Sequence, residues 1–235
     1  MLGIIGAMDK EVDTLRSQMR DAREETIGFT RYTVGTLWGV RVCLARCGIG
    51  KVHAALCAQG MILRFGVQSL LNIGVAGALR PSLRIGDIVI ADSAVQHDVD
   101  TTPFGDPLGM VSGPNIVHFP CDGEMRALLR KAAEQAGLRW ETGAVATGDQ
   151  FITALEKKKA IADAFDAAAC DMEGGAIAQC CYEMNVPYAA VRSISDTRDG
   201  DEQEYAQKSA YACRTEETLL ERLMALIQEG EKENG

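Results

Sequence analysis

The sequence predicts a single α/β domain, a mixed β-sheet flanked by helices, on three observations. Short apolar runs alternate with longer segments of helical period. A chain of 235 residues, 47% hydrophobic and 24% charged, can bury one sizeable core. Two strand-like runs, Arg31 to Gly35 and Val40 to Ala45, flank Thr36, Leu37, Trp38 and Gly39 as in a hairpin.

In order along the chain, Leu2 to Ile5 reads as a buried strand and Glu11 to Met19 as an amphipathic helix. After the hairpin and the glycines of Cys47-Gly48-Ile49-Gly50, the pattern predicts a helix over 51–65 and a buried strand over 69–73. Asp87 to Ala91 is expected as a strand, Glu124 to Gln135 as a helix closed by Gly137, and Thr142 to Thr147 as a strand. Between them, Pro103, Pro107, Pro114 and Pro120 with Gly105, Gly109 and Gly113 mark His97 to Pro120 as a long loop, a feature usually functional or interfacial. A short strand at Ala167 to Cys170, a helix from Glu173 to Met184, a core strand from Tyr188 to Ile194 and a long helix from Glu202 to Gln228 complete the order. The domain is expected to span 1–229, with 230–235 a solvated tail. The chain shows no internal repeat and no linker.

No apolar stretch reaches 18 residues, and Met1-Leu2-Gly3 opens no basic leader, so the expectation is a cytoplasmic protein that neither spans a membrane nor is exported. The eight cysteines form no CxxC pair near histidines and read as buried, reduced thiols. A net charge of −9 argues against nucleic acid, anionic membranes and polyphosphate substrates. A neutral or zwitterionic small molecule fits better.

In open α/β sheets, ligands bind beyond the carboxyl ends of the strands. Acids follow three of the expected strands: Asp9-Lys10-Glu11, Asp171-Met172-Glu173 and Ser195-Asp196. Each alone is also what a helix's first turn favours. Together at one edge they suggest glycosyl transfer, because N-glycosidic cleavage passes through an oxocarbenium-like state and needs separate acidic and basic carboxyl groups.

Gly48-Ile49-Gly50-Lys51-Val52-His53 lacks the third glycine of a dinucleotide fingerprint and the hydroxyl residue of a P-loop. Its glycines, and those of Gly74-Val75-Ala76-Gly77, serve either tight turns or close approach of backbone to a ligand. His97-Asp98-Val99-Asp100 has metal-ligand residue types but reads as hydrogen-bonded structural groups. Phe151, Ile152, Met8, Ile49 and Met172 read first as core residues, although their position beside the acids and glycines points to an apolar pocket.

The whole set resembles the 5'-methylthioadenosine/S-adenosylhomocysteine nucleosidases, within the nucleoside phosphorylase-like three-layer fold. The resemblance runs from Gly3 to about Leu226. It is carried by Gly3-Ile4-Ile5-Gly6-Ala7-Met8 with Glu11, Gly48 to Val52, Asn72 to Gly77, Ile85 to Val89, Gln96 to Asp100, Thr147 to Ile152, Asp171-Met172-Glu173-Gly174 and Val191 to Asp196. It implies hydrolysis of the adenine–ribose bond with water as nucleophile and with no cofactor or metal. Asp196 would protonate adenine N7, Glu11 with the help of Arg192 would activate water, and Glu173 would hold the ribose hydroxyls. Phe151 would stack on adenine, the backbone of Ile152 would read its edge, and Met172 would pack under the ribose. Val75, Gly77 and Ser195 are further substrate-binding positions. Met8, Ile49 and Phe104 of the partner subunit would line the tail pocket, which implies a homodimer.

Three departures bear on the tail: Val75 replaces a common Ser, Ser112 a common Pro, and Thr197 to Glu204 is shorter by about two residues, which leaves Tyr205 as the expected lid. The alternatives are a purine nucleoside or methylthioadenosine phosphorylase and a non-catalytic nucleoside sensor. Against the first, an Arg near the start of the Asn72 segment and a hydroxyl near Val75 are both missing. Against the second, Glu11, Glu173, Arg192 and Asp196 are all present. A dinucleotide-dependent oxidoreductase ranks last.

Overall fold

The computed structural model describes residues 1–233. Its centre is β1 (Leu2–Gly6), buried along its whole length and paired in parallel with β4 (Val40–Arg46) on one side and β5 (Ser69–Asn72) on the other. Double-sided burial explains why this strand reads as an unbroken apolar run. β3 (Thr30–Leu37) returns to β4 across a turn in which Trp38 and Gly39 both have positive φ, 44° and 83°, the twist that suits a tight hairpin. The edge beyond it is β2 (Arg20–Ile27), a strand the sequence reading missed. Its charged, largely exposed run carries no apolar alternation, and charge of this kind protects an edge from further pairing.

β11 (Tyr188–Asp196) joins two parts of the sheet. Its first residues pair in parallel with β5, and its last with β6 (Val75–Ala78), another unexpected strand. β6 runs antiparallel to β10 (Ala167–Asp171), which lies parallel to β9 (Trp140–Thr147), which lies parallel to β7 (Ile88–Gln96). β7 then pairs back onto β11 and with the short β8 (Phe119–Pro120), so five strands close on themselves. Closure removes exposed edges at this end.

Period-2 alternation sorts the side chains of β1 and β4 into two cores. Ile5, Cys43 and Ala45 face the layer formed by α2 (Lys51–Phe65) and α5 (Gly174–Glu183). Ile4, Val42 and Leu44 face the layer of α1 (Asp9–Gln18), α3 (Gly123–Gln135) and α6 (Glu202–Glu233). The expected three-layer mixed sheet is therefore present. α6 runs five residues beyond its expected end at Gln228. The proposed tail at 230–235 thus begins inside a helix as far as Glu233, and residues 234 and 235 lie outside those described. α4 (Leu155–Phe165) was also missed: its N-cap position, Ala154, offers no capping side chain, which leaves only Glu156 in the first turn to mark its start. Among the described residues, no helix is long and apolar enough to cross a membrane. All eight cysteines are free, but Cys180 and Cys213 are only partly buried, short of the expected full burial.

The start of α5 lies directly on β7 and β9. Gly175 N donates to Thr147 Oγ1 at 2.6 Å, and a Cβ on Gly175 would stand 2.8 Å from Gln96 Cγ and 3.0 Å from the carbonyl oxygen of Val95. Gly175→Val is expected to destabilise the fold by about 2 kcal/mol through overpacking, read as a lower urea midpoint with an unchanged slope.

Candidate active site

Chain direction brings the acids together. β1, β4, β5, β6 and β11 run parallel, so the loops after them open on one edge, and β10 reaches it from across β6. A cleft of about 370 Å³ opens there, the size of a small-ligand site. Glu11, Glu173 and Asp196 line it, together with Asp171, which the sequence reading did not single out as a site residue.

Glu11 sits in the first turn of α1 and plays the capping role that its position suggests: Oε2 accepts from Ala7 N at 2.7 Å and from Met8 N at 2.9 Å. Oε1 accepts from Val75 N at 3.2 Å, across the sheet edge. Burial raises its pKa, which these amides and the charge of Arg192 oppose. Glu173 Oε1 accepts from Gly50 N at 2.8 Å, and burial, followed by the neighbouring Asp171 charge, pushes its pKa up to about 8. Asp196, at the end of β11, has a pKa raised by burial, opposed by Lys158. Ser195 Oγ lies 3.2 Å from Ala76 O and 2.9 Å from Asp196 Oδ1. The Ser195 hydroxyl donates to Asp196 Oδ1, which like Lys158 opposes the rise in its pKa.

The glycines make room for these carboxyls. Gly74 has φ +141°, and a Cβ there would stand 2.8 Å from Glu11 Oε1. Gly77 pairs with Cys170 on one side and Asp196 on the other, and a Cβ would come within 2.9 Å of Asp196 Oδ2. The choice left open in the sequence, tight turn or close approach, resolves here as close approach of backbone to the protein's own acids.

Met8, Ile49, Val75, Gly77, Met172, Ser195, Phe151, Ile152 and Tyr205 all line the cleft. The Phe151 and Tyr205 rings meet edge to face at 5.2 Å between centroids. Tyr205 Oη also reaches Met8 Sδ at 3.3 Å and takes a hydrogen bond from Lys10 Nζ at 3.1 Å. This closes one end of the cleft. Phe104 is elsewhere, on a single 3-10 turn at Thr102–Phe104, 87% exposed.

Arg192 does not line the cleft. It lies fully buried behind it, with Nε and Nη2 donating to Asp171 Oδ2 at 3.1 and 2.5 Å, Nη1 donating to the Asn72 carbonyl at 3.1 Å, and Nη2 also donating to Asn72 Oδ1. Its help to Glu11 is thus one of charge, without a hydrogen bond. Asp171 is held further by Thr147 Oγ1 at 2.5 Å and Gly174 N at 2.9 Å. In the His97–Asp100 segment Asp98 pairs with Lys51 Nζ at 2.6 Å and Asp100 accepts from Thr102 N at 2.9 Å, whereas His97 Nε2 is buried without a hydrogen-bond partner among the described residues, short of the expected bonding. Among the described residues, no group of three His, Cys, Asp or Glu is arranged to hold a metal.

Two buried ionisable residues escaped the sequence reading. Lys158 lies behind Asp196; its signal was a lysine three residues from both Leu155 and Ile161, on the stripe that α4 buries. Glu216 of α6 accepts from Gly74 N at 2.8 Å, and its pKa is raised well above the ordinary value by burial, with Glu11 adding to the effect.

The sequence matches the phosphorylase superfamily over residues 1–227. It is 35% identical over 230 residues, 95% of this chain and 100% of the relative, to a 5'-methylthioadenosine/S-adenosylhomocysteine nucleosidase of Staphylococcus aureus strain MRSA252. The fold superposes with a TM-score of 0.90 on the enzyme of that name from Neisseria meningitidis in complex with methylthio-immucillin-A, at 31% identity over 94% of this chain and 97% of the other. It superposes equally well, at 0.90, on futalosine hydrolase of Helicobacter pylori, with 32% identity over 95% and 97%.

Raised carboxyl pKa values make the native state bind protons more tightly than the unfolded chain. Their stabilisation is complete below the unfolded value and is lost as pH rises through the native one. For Glu173 the window runs from 4.5 to about 8. Urea unfolding should show stability falling across it, with Glu173→Gln and Glu216→Gln each flattening the decline by at most about 1.4 kcal/mol per pH unit. At pH 8 Glu216→Gln should be more stable than wild type.

Proposed function

The chain belongs to the phosphorylase superfamily, among its 5'-methylthioadenosine/S-adenosylhomocysteine nucleosidases, N-glycosyl hydrolases that release adenine; on that premise we propose how the cleft divides the reaction among its residues. The observation that carries the proposal is the meeting of Glu11, Glu173 and Asp196 from three separate strand ends in one largely apolar cleft. Asp196 protonates N7 as the base departs, for which burial keeps its carboxyl toward the neutral form. Glu11 takes a proton from the attacking water. Glu173 holds the ribose hydroxyls and faces the positive charge that grows on the sugar.

Phe151 stacks on adenine, the backbone of Ile152 reads its edge, Met172 packs under the ribose, and Val75 and Gly77 form the cleft wall beside it. Arg192 acts from behind, by fixing Asp171 and by its charge on Glu11. Tyr205 closes over the tail end, where Met8 and Ile49 offer a thioether an apolar wall. Water is the nucleophile, since among the described residues no lysine or arginine lines the cleft, whereas a phosphorolytic site must pair its anion with cations.

A homodimer in the cytoplasm is part of this reading. Val52, Leu56 and Leu63 are 69%, 62% and 67% exposed on one helix, α2, near Ile49 of the cleft rim, an apolar face that a second copy would cover. Phe104 of the partner subunit would then complete the tail pocket. Eight free cysteines agree with a reducing compartment.

Adenine release from 5'-methylthioadenosine should proceed at the same rate with and without phosphate; strict dependence on phosphate would overturn the assignment. Asp196→Asn should lower kcat by about 10²–10⁴. Glu11→Gln should lose turnover yet still bind substrate, with calorimetry as the check. Leu56→Glu should halve the solution mass measured by light scattering; an unchanged mass would exclude α2 as the interface.

A further inference from the structure

Lys158 is fully buried, and each donor of its ammonium is used: Nζ donates to Asp196 Oδ2 at 3.0 Å, to the Thr197 carbonyl at 2.9 Å and to the Gly200 carbonyl at 3.1 Å. A buried ammonium is costly even when well paired, and a Leu or Met would fill this position on the apolar stripe of α4 at less cost. The cation lies behind the cleft, which Asp196 lines and Lys158 does not. Its position matters for what happens to Asp196 during turnover.

We propose that Lys158 is a positioning residue of the reaction: it pins Oδ2 of Asp196, leaves Oδ1 as the oxygen that carries the proton, and meets the carboxylate that appears when that proton passes to the departing purine. The inference rests on the assignment of Asp196 as the donor. In that step the O–H bond of Asp196 breaks and N7–H forms, while the electrons of the C–N bond leave with the base. A carboxylate formed in so dry a place has no water to solvate it, and an ammonium fixed at 3.0 Å supplies that stabilisation without reorganising. The same ammonium ties the donor to the 197–200 turn, which Glu204 Oε2 grips from α6 by accepting from Thr197 N at 2.6 Å and Thr197 Oγ1 at 2.9 Å. Donor and lid base are thereby one unit, since Tyr205 is the next residue.

The titratable groups facing Asp196 are Lys158 from α4, Glu204 from α6 and Cys170 from β10; β6 offers only Gly77, and β11 itself the Ser195 hydroxyl. The hydrogen bond donated by Ser195 favours the carboxylate, and among the titratable groups only Lys158 acts in the same direction. Loss of its charge makes Asp196 a weaker acid, and the donor then stays protonated to higher pH.

The test compares kcat and KM for 5'-methylthioadenosine against pH in wild type, Lys158→Met and Lys158→Arg. The Met variant should lose about tenfold in kcat on the plateau, keep KM within about threefold, and carry its alkaline limb about one unit higher. The Arg variant should return the limb toward wild type. In an Asp196→Asn background Lys158→Met should cost nothing further. A Met variant with the wild-type pH profile, at any rate, would reduce Lys158 to a packing residue and overturn the proposal. Should that variant fail to fold, Lys158→Gln keeps a donor without charge, and its limb must move in the same direction. A wild type that releases no adenine would sink the assigned reaction itself. The pair is then decided by the ¹³C carboxyl resonance of Asp196, whose midpoint must rise in Lys158→Met and overturns the proposal if it stays.

Discussion

Five carboxyl groups, those of Glu11, Asp171, Glu173, Asp196 and Glu216, are buried around one end of the sheet, and the chain around them is shaped by the need to keep them there. An unpartnered buried carboxylate costs several kcal/mol, more than most single contacts return. The partners are mostly main-chain amides. The consecutive amides of Gly74 and Val75 serve two acids, Gly74 N donating to Glu216 and Val75 N to Glu11. That arrangement needs a residue without a side chain at 74, because a Cβ there would enter the Glu11 carboxyl. Gly50, whose amide holds Glu173, adopts φ +102°, and a Cβ there would stand 3.0 Å from Asp149 Oδ1.

The five acids do not share one fate. Asp171 is matched to the guanidinium of Arg192 and to two further donors, Thr147 Oγ1 and Gly174 N. The Asp171 charge adds to burial in raising Glu173, whereas Glu11 and Asp196 are raised by burial against the charges of Arg192 and Lys158 respectively. Hydrolysis of a glycosidic bond uses such a division, since one carboxyl must begin protonated and another must accept a proton. Burial and neighbouring charge, rather than the chemical identity of Asp or Glu, separate the duties.

Much of this was legible before any coordinates. The strands beneath the site are apolar runs bounded by glycines, and the acids fall just after them, so their convergence follows from the parallel order of β1, β5 and β11. What was hidden lacked a local signal. β2 has the composition of a solvated loop, and only pairing to β3 makes it a strand. α4 has no capping residue, and with it went Lys158, whose importance depends on a contact 38 residues away in sequence. Arg192 was named as a helper of Glu11, and the structure places it behind the cleft, where it acts on Glu11 by charge. Its motif shows that it is needed, while the choice between touching Glu11 and touching Asp171 is settled by the side-chain directions along β10 and β11.

The placement of cations bears on which nucleophile the cleft accepts. Two buried positive charges stand behind it, Arg192 and Lys158, and both are spent on carboxylates and carbonyls of the protein with every direction of donation occupied. To free either for a phosphate dianion would strand Asp171 or Asp196 as a buried, unpaired acid, a loss larger than one surface-like ion pair could return. Water carries no such demand. It needs only an acceptor for its proton, and Glu11, with a pKa raised by burial, is a stronger base than an exposed glutamate. A phosphate dianion under the sugar would meet Glu11 and Glu173, which line the cleft, before it met Arg192 or Lys158, which do not.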